Sequence, residues 1–332
     1  MSETEPRPAS PAENEETVSP WAPNIERLLD AVESCVLGQR GVAEQLTAAY
    51  LAGGHALLEG VPGVGKTLLA RSFAAALGLD FQRLQFTPDL MPADVLGTNI
   101  FDKEKGTFRW MEGPIFTQIL MADEINRTPP KTQAALLEGM QEGQVSMDGE
   151  RHRLDPSFFV VATQNPVEFE GTYPLPEAQL DRFLLRIVME LPAAEFEREL
   201  YRRALDPDPE RRPGAVPPAA LGADEAAALR RASREVRVTE ELLDYLFRLA
   251  DAVRSSPHLE LGISPRGALA LLEVARAFAL VEGRSFVIPD DFKRGLQPCW
   301  GHRLILGAEA ELEGHSPERL LTMLADQVDV PK

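Results

Sequence analysis

The amino-acid sequence predicts an α/β fold: a five-stranded parallel sheet flanked by helices and carrying two β-hairpin insertions, followed by a small all-helical domain. Three observations carry this expectation. Short, mainly apolar runs, HALLEG, FQRLQF, QILMADE, SFFVVATQNP and FLLRIVMELP, alternate with helix-like stretches, and strands of that kind suit a parallel sheet covered on both faces. Beyond a proline-rich passage, DPDPERRPGAVPPAALG, the remaining long segments show helical spacing. A chain of 332 residues is also long enough to form two domains around a substantial core.

Taken in order, the first segment, MSETEPRPASPAENEETVSP, has five Glu, one Arg and no apolar centre. It is not a signal peptide, and residues 1–22 are expected to be a disordered acidic tail. From Trp21 onward, NIERLLDAVESCVLGQRGVAEQLTAAYLAGG predicts two helices joined at Gly38. The sheet domain then occupies 23–205. Within it, NIFDKEKGTFRW and GQVSMDGERHRL place polar tips between alternating flanks, the pattern of β-hairpins that project from the sheet. Each reads equally as a solvated surface hairpin. Residues 206–221 form the linker, and 222–332 supply four helices: ADEAAALRRASREV, TEELLDYLFRLADAVRSS, SPRGALALLEVARAFALVEG and IPDDFKRGLQPCWGHRL.

Composition narrows the function classes. A formal charge of −18 opposes a protein whose main work is to hold nucleic acid, which needs clustered Lys and Arg. The hairpin segments agree: Asn99 to Glu112 carries three acidic and three basic residues, and Glu142 to Asp155 four acidic and two basic. Two cysteines, Cys35 and Cys299, cannot build a disulfide framework, so a cytoplasmic chain with reduced thiols is expected. Cys299 and His302 together are too few ligands for a closed metal site. No apolar run is long enough to cross a membrane.

Chemistry is concentrated in five places. GVPGVGKT, which comprises Gly60, Val61, Pro62, Gly63, Val64, Gly65, Lys66 and Thr67, follows a strand and opens a helix. That is the pattern of a phosphate-binding loop: glycines let amide N–H groups converge on phosphate oxygens at a positive helix end. Lys66 then reaches the β- and γ-phosphates, and the Thr67 hydroxyl a Mg²⁺ ion. QILMADE ends in Asp123 and Glu124, at the strand end facing the nucleotide crevice. Asp123 suits magnesium, and Glu124 suits general-base activation of water, so hydrolysis rather than storage of ATP is implied. Asn165, ending the strand SFFVVATQN, offers an amide that orients the water. Arg182 is a candidate arginine finger, acting on a neighbour's nucleotide if the protein forms a ring; the plain alternative is a pair with Asp181 or a nearby Glu. In GISPRG, Ser264 is a helix N-cap, Pro265 the first helical residue, and Arg266 a cation that a γ-phosphate or a surface carboxylate must compensate.

The ordered set GVPGVGKT, LMADE, ATQNP, LDRF and SPR resembles an AAA+ ATPase, and EGTYPLPEAQLDRFLLR with ADEINRTPPKTQAALLEGMQEGQV is similar to the MoxR family over about Ile25 to Leu306. The resemblance implies an AAA+ P-loop NTPase core with a helical lid, and Val36, Leu37, Gly38 and Gln39 lying at the adenine. It also implies hexameric rings with Arg182 acting in trans, and chaperone-like maturation or activation of a protein client, often beside a von Willebrand factor A domain protein. One departure is Gly65, where many members carry alanine. A ring ATPase acting on nucleic acid and an ATPase subunit of a metal chelatase are the alternatives, while the GAFTGA loop of sigma-factor activators is absent.

Overall fold

The structure, a computed structural model, describes residues 18–147, 149–165 and 171–331. Helices α1 (Ala22–Cys35) and α2 (Arg40–Leu51) precede β1 (Ala56–Glu59), α3 (Lys66–Leu77), β2 (Phe81–Gln85) and α4 (Pro92–Leu96). A hairpin, β3 (Gly97–Asp102) and β4 (Thr107–Glu112), leads to β5 (Ile119–Asp123) and α5 (Pro130–Glu142). A second hairpin, β6 (Gln144–Met147) and β7 (Glu150–Arg153), precedes β8 (Phe159–Gln164), α6 (Glu177–Leu180), β9 (Leu185–Val188) and α7 (Ala194–Ala204).

The sheet has the order β2-β5-β8-β1-β9, and all its pairings are parallel. Its period-two alternation explains why the strand sequences are apolar almost without interruption. Ala56, Leu58, Ile119, Met121, Phe159 and Val161 enter one hydrophobic cluster, whereas Leu57, Leu120, Ala122, Val160 and Ala162 enter the other. With both faces sealed, polar chemistry is confined to the strand ends.

The remaining elements are α8 (Ala223–Glu235), α9 (Glu240–Arg254), β10 (Leu259–Leu261), α10 (Pro265–Val281), α11 (Pro289–Trp300), β11 (Ile305–Leu306), α12 (Ala308–Leu312) and α13 (Pro317–Asp326). The four expected helices are therefore joined by a short antiparallel β10-β11 pair and two further helices: α12 is too short to show a period, whereas α13 buries Leu320, Leu321, Leu324 and Ala325 at helical spacing and was missed. Residues from α1, α2, α10 and α11 share a single hydrophobic cluster, so the helical lid packs continuously on the sheet domain.

Two expectations change. The hairpins do not project independently: Trp110 of β4 stacks on His152 of β7 with ring centroids 4.2 Å apart. Of the predicted tail, residues 1–17 lie outside the described residues, but Val18 forms a bridge with Arg284, and the Ser19 N–H donates to the Gly283 carbonyl at 2.8 Å.

Two buried histidines tie distant segments together. His55 Nδ1 accepts from the Val160 N–H at 3.0 Å, which leaves Nε2 to donate to the Met140 carbonyl at 3.1 Å. A second proton would set donor against donor. Burial pushes His55 down to about 4 and His302 down to about 3, from an ordinary value of 6.5. The unfolded chain therefore takes up protons that the folded chain refuses, and stability that is complete above about pH 6.5 is lost as the pH falls toward these values. The urea midpoint should accordingly drop between about pH 7 and pH 5, before most carboxylates titrate. Equal midpoints at both would show that neither ring is held neutral.

Candidate active site

The 60–67 loop joins β1 to α3, and its path depends on glycine. Gly63 and Gly65 have φ of 82° and 104°, a region that a side chain disfavours. Helix α3 begins at Lys66 immediately after this turn, so free N–H groups of the first helical turn lie beside the loop. Val64 packs into the core, while Val61 remains exposed. The Lys66 ammonium turns back onto the loop and donates to the Gly60 carbonyl at 2.5 Å and the Val61 carbonyl at 3.2 Å.

A cavity of about 370 Å³ opens against this loop. Pro62, Gly63, Gly65, Lys66 and Thr67 line one side, and Asp123, Glu124, Thr163, Gln164 and Asn165 the other. The register of the parallel strands does this. With β5 and β8 adjacent and β8 beside β1, the carboxyl ends of three strands meet at the loop. A groove of about 870 Å³ beside Cys35 and Arg203 is larger, but it lacks this convergence of loop amides and carboxylates.

Glu124 is the only non-glycine residue with positive φ among the described residues, at φ 56° and ψ 51°. Such a conformation costs about 1–3 kcal/mol and persists only where neighbours fix it. Here Thr163 fixes it: its hydroxyl accepts from the Glu124 N–H at 2.9 Å and donates to Asp123 Oδ1 at 2.6 Å. Arg83 holds the other oxygen of Asp123, with Nη2 at 2.6 Å and Nε at 3.0 Å. Glu124 Oε2 accepts from Gln85 Nε2 at 2.6 Å and forms an ion pair with Arg127, whose Nε stands 3.1 Å away. Both carboxylates are thus held in place by donors on β2, on β8 and in the turn after β5.

The other predicted residues lie outside this cavity. Gln39 donates to the Glu190 carbonyl at 2.8 Å, and Glu190 lines a second cavity, of about 430 Å³, with Gly60, Val61 and Leu191. Val36 is buried; Gly38, at φ 71°, leaves no room for a Cβ, which would stand 2.5 Å from the Phe196 ring. Arg182 donates to the Leu137 carbonyl at 2.9 Å. The alternative of a pair with Asp181 or a nearby Glu is not seen among the described residues; Asp181 Oδ1 is instead taken by Arg303 Nε at 2.8 Å. Ser264 caps α10 by accepting from the Gly267 N–H at 3.1 Å, and Arg266 is exposed in the first turn.

Sequence reasoning missed Arg83, Gln85, Thr163 and Arg303. The first two alternate along β2 and share one face, a signal visible as polar residues at period two in FQRLQF. Thr163, next to the noted Asn165, reads as an ordinary strand residue, and nothing in the sequence joins Arg303 to Asp181.

A family model described as "ATPase family associated with various cellular activities (AAA)" matches residues 55–185, and one described as "AAA lid domain" matches 251–323. Uncharacterized protein YeaC of Bacillus subtilis is 43% identical, over 93% of this chain and 95% of that protein. Chaperone MoxR1 of Mycobacterium tuberculosis is 40% identical, over 93% of this chain and 82% of that one. Protein MoxR of Paracoccus denitrificans is 32% identical, over 89% and 92%. A crystal structure of a Cytophaga hutchinsonii protein superposes with a TM-score of 0.86 at 38% identity, covering 94% of this chain and 96% of that one. Likeness of this extent runs through the sheet domain and the lid alike, and it makes the chain a member of the MoxR family of AAA+ ATPases, with ATP hydrolysis as its reaction.

Proposed function

We propose that the chain works as a hexameric ring in the cytoplasm, where ATP hydrolysis drives chaperone-like remodelling, maturation or activation of a partner protein complex. One observation carries the catalytic part of this reading: a glycine loop that opens a helix at Lys66 shares one cavity with Asp123, Glu124 and Asn165. In this scheme, the loop amides and Lys66 bind the triphosphate, and Lys66 exchanges its carbonyl partners for phosphate oxygens. Glu124 takes a proton from the attacking water, which the Asn165 amide orients. Thr67 and Asp123 present hard oxygen donors to the same cavity, a donor set that fits Mg²⁺. When bound there, magnesium supplies neutralisation of phosphate charge. Val36 to Gln39 flank the adenine through the Gln39–Glu190 contact.

Arg182 is assigned to the neighbouring subunit's nucleotide, and Arg266 to the γ-phosphate of its own. Both stand off the nucleotide cavity, Arg182 on the Leu137 carbonyl and Arg266 exposed at the start of α10, so the division of roles rests on the family resemblance. A protein client suits the first hairpin, where Phe101 and Phe108 are exposed with ring centroids 5.3 Å apart. Exposed aromatics offer apolar contact, whereas a strand of nucleic acid calls for a basic surface. The name of the mycobacterial relative, a chaperone, agrees with this client class. The family resemblance adds a von Willebrand factor A domain protein as partner.

Glu124→Gln should retain the affinity for a fluorescent ATP analogue while phosphate release falls ~100-fold or more, the lower end for a lost general base. Turnover within tenfold of the parent would falsify the assignment of the base. Thr163→Val, nearly the same in shape, strips Asp123 and the Glu124 N–H of their shared partner. It should cost about 1–3 kcal/mol in chemical denaturation and lower kcat more than it raises KM. For action across subunits, Arg182→Ala and Glu124→Gln chains, each inactive alone, should recover ATPase activity when mixed, because some interfaces then hold both intact groups. Mixed rings seen by centrifugation but showing no recovery would overturn action across subunits.

A further inference from the structure

A separate set of metal-type donors meets in the lid, away from the nucleotide cavity. His258 lies between α9 and β10, and Glu313 and His315 lie in the turn that closes α12. Their ligand atoms all fall within 4.8 Å of one another, and the two imidazole centroids are 5.0 Å apart. Glu313 and His315 are two residues apart, and the fold brings His258, more than fifty residues earlier, to them.

The backbone around them is already fixed. The Gly307 N–H at the start of α12 donates to the His258 carbonyl at 2.9 Å. At the other end, His315 N–H reaches the Ala310 carbonyl at 3.0 Å and Gly314 N–H the Glu311 carbonyl at 3.0 Å, with Gly314 at φ 77°. That is a glycine-terminated helix end, which leaves the His315 side chain with little backbone freedom. One short helix thus positions both imidazoles.

We propose that His258, Glu313 and His315 form a transition-metal site of the zinc class. Two imidazoles and a carboxylate are the donors zinc takes in sites with an open position, whereas magnesium and calcium prefer oxygen alone. Ligands about 2.0 Å from a tetrahedral zinc stand about 3.3 Å from each other. Glu313 Oε2 and His315 Nε2 are 3.3 Å apart. A side-chain adjustment brings in His258, and water completes the shell from the solvent side, where the Glu313 side chain is 64% exposed. Glu309 and Glu311, both exposed on α12, add negative charge that favours a cation. A bound ion clips the end of α12 to the loop leading through β10 to Ser264, and so steadies the approach to Arg266.

The test uses the full-length chain, stripped of metal by a chelator and free of nucleotide, titrated with Zn²⁺ against a chromophoric competitor. One equivalent should bind, and in His258→Ala/His315→Ala the affinity of that equivalent should fall ~100-fold or more, as expected when two of three protein ligands are removed. Co²⁺ should give the visible absorption of a four-coordinate centre only in the parent, and Zn²⁺ should raise the thermal midpoint only in the parent. Because Asp123 and Glu124 also attract cations, the difference between parent and double variant is the measured quantity. Equal uptake by both chains, or uptake by neither, overturns the site and leaves an ordinary His315–Glu313 contact.

Discussion

The placing of both acidic residues at the nucleotide cavity depends on one hydroxyl. Thr163 receives the Glu124 N–H and gives its own proton to Asp123, so a single side chain on β8 fixes the last two residues of the β5 strand end. Without it, the left-handed conformation at Glu124 has no evident compensation, since loop residues relax toward negative φ when nothing holds them. The hydroxyl can do this because β5 and β8 are paired neighbours, with Ala122 opposite Ala162. Strand order therefore decides the position of two carboxylates before any ligand arrives.

Around that point, charge is balanced by exchangeable partners. Arg83 occupies the oxygen of Asp123 that Thr163 does not, Gln85 and Arg127 occupy Glu124, and Lys66 occupies two loop carbonyls. Arg83 has a side chain 47% exposed, so its attraction for Asp123 is partly screened, and a multivalent anion or cation competes with it readily. The cavity is thus electrostatically satisfied as it stands, and binding exchanges one set of partners for another instead of filling a vacancy of charge.

What could be read from the sequence was what local pattern determines. All five sheet strands, both hairpins, the turn at Gly38 and the cap at Ser264 follow from spacing and residue type, because burial on two faces and helix-end chemistry leave local traces. The helix Ala194–Ala204 was missed although its sequence is amphipathic; it buries no residue fully. The stack of Trp110 on His152 was invisible for another reason: it joins two hairpins whose sequences each read as complete. The loop and the two acidic residues at the site were legible; of the side chains that hold them, Arg83 and Gln85 leave a period-two trace in β2, but which carboxylates they meet, and the part played by Thr163, become recognisable only once the strand order β2-β5-β8 is known.

The same limit applies between the domains, where the lid grips the segment that carries Arg182. Arg303, almost fully buried, gives Nε to Asp181 and Nη2 to the Phe183 carbonyl at 2.9 Å, and His302 donates to that carbonyl at 3.0 Å. The residues on both sides of Arg182 are therefore bonded to the lid, while Arg182 itself bonds to Leu137 of the sheet domain. Arg303 is buried although Asp181 is partly exposed, and breaking its charge-assisted bonds is costly, so lid movement that preserves these contacts must carry the Asp181–Phe183 turn with it. The weaker attachment, a single bond from a partly buried guanidinium to one carbonyl, is the one that yields first. Arg182 is consequently governed more by the position of the lid than by the helix it touches.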